Sequence, residues 1–300
     1  DPVGAIGPVG AFDPVAYSPY ALVVVPAADP TEVVAGIARS LGPLVALTAV
    51  GVAVYDPTYR SPTRTRSASF ERWRRRLRDS DGLVTRTLFD VGRSGGGLVK
   101  VPFSAGIVLL VAVATVEFVS VLTGRPPAVG VTLGTLLGLT AFTTYNWLTQ
   151  FDDPGSYRHY PLSVADVLSA KYRAFLVLGP PVGIAAYALA SAWYRPPTVD
   201  LLAGGALVLG LQGYLFGVTV YLAGLQPAEL LFDSVLFAGF TLAVAAALVP
   251  VLVVGLALGP LIDPAHGSAL TGVSICLGAL GAVLAHRARE RWTRRYRAND

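Results

Sequence analysis

Apolar positions along this chain gather in runs of about 20 residues separated by short polar breaks, the length a helix needs to cross the hydrocarbon of a bilayer. Seven runs stand out, at 37–54, 101–123, 129–148, 174–193, 201–222, 231–258 and 269–285. Arg39 sits at the edge of the first, where a long side chain can reach the interface, and Pro250 lies inside the sixth, where a kink is expected. The pattern predicts an all-α, polytopic helical membrane protein with about seven transmembrane helices.

Three polar stretches interrupt the apolar pattern. Residues 61–80, SPTRTRSASFERWRRRLRDS, read as an Arg-rich linker or surface helix. Next, Leu83, Val84, Leu88 and Val91 share one helical face while Arg86, Asp90 and Arg93 share the other, which predicts a helix lying in the membrane interface, ended by Gly95–Gly97. The third stretch, 151–173, is long for a connection and carries its own helix start: Ser163 at the N-cap, Asp166 at the capping-box position, and Leu162 placed to staple onto Val167. Val164, Val167, Leu168 and Tyr172 then form an apolar stripe. A short helix from Ser163 to Tyr172 is expected, distinct from the Asp152-Asp153-Pro154-Gly155 turn before it and from the span after it.

Composition agrees with the pattern. Hydrophobic residues make up 53% of the 300 and charged residues 14%, against roughly 25% in soluble domains, and mean hydropathy is +0.58. Seven spans place 20 of the 23 Lys and Arg residues on one side, leaving Arg125 and Arg195 opposite and Arg39 at a span edge. The positive-inside rule makes the linker, the 151–173 loop and the C-terminus cytoplasmic, in a cell-membrane protein. Topology and anionic membrane lipids account for the basic pI, so no nucleic-acid partner is expected. The single cysteine, Cys276, forms no intrachain disulfide. With no Met at position 1, the chain reads as a fragment or processed product. The stretches beginning at Pro26 and Pro260 both run from an Asp-Pro loop through a small-residue span into arginines. This repeat predicts that 1–78 is the end of one membrane module and 79–300 a complete six-span module.

The string Pro161-Leu-Ser-Val-Ala-Asp-Val-Leu-Ser-Ala-Lys171 resembles the cytoplasmic loop of ABC-2-type exporter permeases, and the helix before the first span of the module resembles that family's connecting helix. The resemblance covers roughly 83–297. It implies a transmembrane subunit whose coupling segment, here Leu162, Ser163, Asp166, Leu168 and Lys171, docks on a separate ATP-binding subunit, with a second permease module or a second copy completing the assembly. It also implies no enzyme activity and no cofactor on this chain, ATP being held by the partner. Gly92 to Lys100 lacks the Gly-Lys-Ser/Thr ending of a phosphate-binding loop and reads as a hinge.

Two other classes compete. A secondary transporter needs broken spans and mid-membrane polar groups, and Pro180-Pro181 is the candidate break. A lipid-modifying enzyme would hold a metal through Asp152, Asp153 and His159, although Asp-Pro-Gly turn formation explains the acidic pair more simply. Glu117, inside a span, faces the bundle or a cavity, either paired structurally or lining a substrate path. Gly130, Gly134 and Gly138, with Gly213/Gly217 and Gly255/Gly259, mark close helix packing.

Overall fold

The computed structural model describes residues 67–298 except 80–81, 95, 153–156, 158–161, 228–229, 231 and 260–262. The span expected at 37–54 and the first copy of the proposed repeat lie outside the described residues.

Among the described residues all regular structure is helical: α1 (Ser67–Arg76), α2 (Leu83–Arg93), α3 (Lys100–Thr123), α4 (Val129–Leu137), α5 (Thr140–Thr149), α6 (Val164–Tyr194), α7 (Thr198–Ala223), α8 (Ser234–Leu258) and α9 (Pro264–Ala298). A 3-10 turn, Gly97–Val99, leads into α3. Five helical stretches, Gly97–Thr123, Val164–Tyr194, Thr198–Ala223, Ser234–Ala257 and Pro264–Tyr296, are long and apolar enough to cross a membrane. Large apolar side chains point outward on them, among them Phe103, Leu110, Leu189, Leu202, Val235, Leu242 and Ile275, each more than half exposed. Water would not tolerate so much apolar surface; lipid does. The chain therefore has the character of a multi-pass membrane protein.

α7 is the axis of the bundle. Its window is the most buried of the five, and glycine explains how neighbouring backbones come so close. A Cβ on Gly134 would meet the Gly204 carbonyl oxygen at 2.1 Å, one on Gly217 the Gly281 oxygen at 2.2 Å, and one on Gly210 the Ser274 oxygen at 2.2 Å. The ridges expected at Gly130/Gly134/Gly138 and Gly213/Gly217 thus seat α4 and α9 on α7. Gly255 adds a smaller approach to Val131 and Thr132.

Three expected boundaries move. The short helix of the 151–173 loop is not separate: its start is where expected, but α6 runs unbroken for 31 residues from Val164 through the following span. Helix-favouring Ala170, Lys171 and Ala174 offer no stop signal, and Pro180 and Pro181 stay inside the helix. The last helix continues well past Ala285, because Arg, Glu and Ala sustain helix after hydropathy has fallen. The run at 129–148 folds as two helices, α4 and α5, joined at Gly138–Leu139. There the amides of Leu139, Ala141 and Phe142 bond to carbonyls three residues back instead of four, and the Thr140 hydroxyl donates to Leu137 O at 2.7 Å.

Candidate functional site

The end of the bundle that carries Lys100, the start of α6 and the end of α5 is organised around two buried lysines. α2 lies against the start of α6 there. Its N-terminus follows a left-handed Gly82, φ 71°, and the buried Asp79 carboxylate accepts the Thr85 amide at 2.7 Å. Val84 and Val91 are buried as the periodicity predicts, and Arg86 and Arg93 are exposed; Thr85 and Thr87 join the buried face, so the face turned to the protein is partly polar. Asp90 bridges to Arg93 at 2.9 Å and to Arg86 at 3.7 Å along the same helix.

The capping box opening α6 is complete. The Ser163 hydroxyl oxygen accepts the Asp166 amide at 3.2 Å, and Asp166 Oδ2 accepts the Ser163 amide at 3.2 Å. Ser163 and Asp166 are exposed and Leu162 is half-buried. Leu168 and Lys171, grouped with them on the sequence, turn inward: Leu168 is 2% exposed and Lys171 5%. Within the segment, Leu168 and Lys171 thus pack into the bundle while Ser163 and Asp166 stay on the surface.

Lys171 Nζ donates to Leu148 O at 2.6 Å and pairs with Asp152 Oδ1 at 2.9 Å, both side chains being about 5% exposed. Tyr157 OH donates to the same Oδ1 at 2.6 Å. Asp152 does sit in a turn, its amide donating to Thr149 O at 2.9 Å, yet its carboxylate is an ion-pair partner and not merely a turn residue. Burial pushes the Asp152 carboxyl above its usual range, opposed by the Lys171 charge and the Tyr157 and Lys171 hydrogen bonds. Burial and the neighbouring carboxylate push Tyr157 upward as well. Asp152 Oδ2 is buried with no partner. Beside it is a cavity of about 90 Å³ lined by Arg86, Thr87 and Asp90 of α2 and by Asp152, Tyr157 and Lys171.

Lys100 is the second buried lysine, 8% exposed. Its ammonium bonds the Ser94 hydroxyl and lies 4.7 Å from the Trp147 ring centroid and 5.9 Å from that of Phe151. α3 and α5 are thereby joined at the same end.

Away from this end, Tyr194 OH donates to Glu117 Oε1 at 2.6 Å, which places the intramembrane acid in a pair between α3 and α6 near the opposite end. Asp153 and His159 lie outside the described residues, and among the described ones no three His, Cys, Asp or Glu side chains gather as metal ligands. Two polar features escaped the sequence reading. Asp200 of α7 accepts the Gly130 and Val131 amides, both at 2.8 Å, capping α4 from another helix. Gln212 of α7, fully buried, donates to the Thr140 hydroxyl at 2.8 Å and to Gly179 O at 3.3 Å, beside the α4–α5 interruption. A lone Gln inside a run as apolar as 201–222 was the available signal, since a buried amide in lipid needs a partner. Comparison of the chain with protein-family models, curated proteins and solved structures found no match.

Proposed function

We propose that this chain is the membrane subunit of an ATP-driven exporter, with the exposed, capped start of α6 as its contact with a separate ATP-binding subunit. The carrying observation is the continuity of α6: one 31-residue helix begins at an exposed capping box and ends on the far side of the bundle, so a displacement of its tip has a stiff element to travel through. In this reading Leu162, Ser163 and Asp166 meet the partner, while Leu168 and Lys171 anchor the tip to the bundle. α2 lies in the interface at the same level. Taken end to end, α4 and α5 make one kinked crossing, which gives the described part six crossings and, with 37–54, the chain seven. The basic end is cytoplasmic, a second permease module or second copy completes the assembly, and ATP is bound by the partner alone.

The test is co-purification from the native host. A soluble ATPase should accompany the tagged chain, and its hydrolysis in proteoliposomes should change when Leu162, Ser163 and Asp166 are altered together. A chain that purifies with no ATPase and supports transport driven only by an ion gradient contradicts the proposal.

One observation favours a second reading, a secondary transporter: the interrupted α4–α5 rod with Gln212 and Thr140 at its break resembles the broken spans such proteins use. Transport that persists without ATP and collapses with an ionophore would select it.

A further inference from the structure

We propose that the Asp152–Lys171 pair is a mechanical joint that makes the end of the interrupted α4–α5 rod follow the start of α6, with Lys171 as its positioning residue and Gly138–Leu139 as the hinge. The inference deepens the exporter reading, but its test needs no ATPase, so the two fail separately.

Lys171 does two things at once. Its ammonium caps Leu148 O, one of the last carbonyls of α5 that has no amide donor within the helix, and pairs with Asp152 just beyond that helix. Both bonds run from α6 to the terminus of α5. Because both partners are almost fully buried, water competes weakly for either bond, unlike a surface ion pair. Tyr157 holds the same carboxylate oxygen from the connecting loop. Among the described residues, the titratable and charged groups that face the pair from elsewhere include Arg86 and Asp90 of α2 and Tyr145 of α5.

The rod has a place to bend. Around Gly138–Leu139 the amides of Leu139, Ala141 and Phe142 use the tighter three-residue bonding, a local geometry that marks hinges within helices. Gln212 pins Thr140 at that point to α7, and Asp200 pins the start of α4 to α7. α4 is thus fixed to the central helix, while the far end of α5 is held to α6 through Lys171 and to the end of α7 through the Tyr145 hydroxyl, which donates to Gly224 O, with the Gly138–Leu139 turn between the attachments of α4 and α5. A shift of the α6 start relative to α4 would be taken up at Gly138–Leu139.

The joint can be tested by pulsed electron-electron distance measurements on the full chain in nanodiscs. Spin labels would be placed at Gln150→Cys, on the exposed turn after α5, and at Ala165→Cys, in the first turn of α6, in a Cys276→Ala background. Wild-type pairing and the conservative Lys171→Arg variant should both give one narrow distance peak. Replacing the pair by Asp152→Leu with Lys171→Met, a swap that leaves no unpaired buried charge, should broaden the peak. Should that variant not fold, Lys171→Gln retains a donor for Leu148 O without the charge and should broaden the peak less. A peak as narrow as wild type in either folded variant overturns the proposal.

Discussion

At the residue scale the lysines are the informative exception. Basic positions are almost all Arg, yet the chain's two lysines, Lys100 and Lys171, are both among its buried charged residues. A compact ammonium at Lys171 reaches a carbonyl and a carboxylate oxygen from one atom. Removing one partner strands the other. Lys171→Met alone should destabilise the protein by about 3–5 kcal/mol, while adding Asp152→Leu should recover most of that, as measured by thermal melting in detergent. The pH dependence of Asp152 has a definite sign. Its carboxyl titrates above the usual carboxylate value in the folded chain, so between that value, about 4, and the raised one the native state holds a proton that the unfolded chain has released. This group's contribution therefore grows as pH falls through that window and is lost as pH rises through it. The melting temperature of wild type minus that of Asp152→Asn should rise on acidification from neutrality; a difference that falls would contradict the burial.

At the element scale the bundle depends on small residues along α7. Gly134→Ala forces a methyl onto the Gly204 carbonyl and should cost about 1–3 kcal/mol, whereas Gly106→Ala, with nothing near its Cβ, should be neutral or slightly stabilising; melting of the two variants side by side decides it. These ridges were legible in the sequence because spacing alone aligns glycines on one helix face. So were the capping box at Ser163 and the amphipathic face of α2, which are local patterns. The pairing of Lys171 with Asp152, the cap from Asp200 onto α4 and the Gln212–Thr140 bond were not, because each joins residues whose proximity is set by helix packing. The extent of α6 was misread for a different reason: hydropathy marks where lipid begins, and a helix has no need to stop there.

At the scale of the whole molecule, charge should set the orientation. The end holding Arg86, Arg93, Lys100 and Arg173, together with the arginines of the last turns of α9, should face the cytoplasm, and Arg125 and Arg195 the outside. A membrane-impermeant thiol reagent applied to intact cells should label Arg125→Cys and leave Arg294→Cys unlabelled until the cells are opened, both in the Cys276→Ala background; the reverse pattern would invert the topology. The central claim is that the capped tip of α6 is the seat of an ATP-binding partner. A photoreactive crosslinker on Ala165→Cys addresses it most directly, because that residue lies between Ser163 and Asp166 yet leaves the capping box intact. The account predicts an adduct between this chain and the co-purifying ATPase whose yield changes with bound nucleotide; an ATPase that co-purifies but forms no adduct from this position would contradict it.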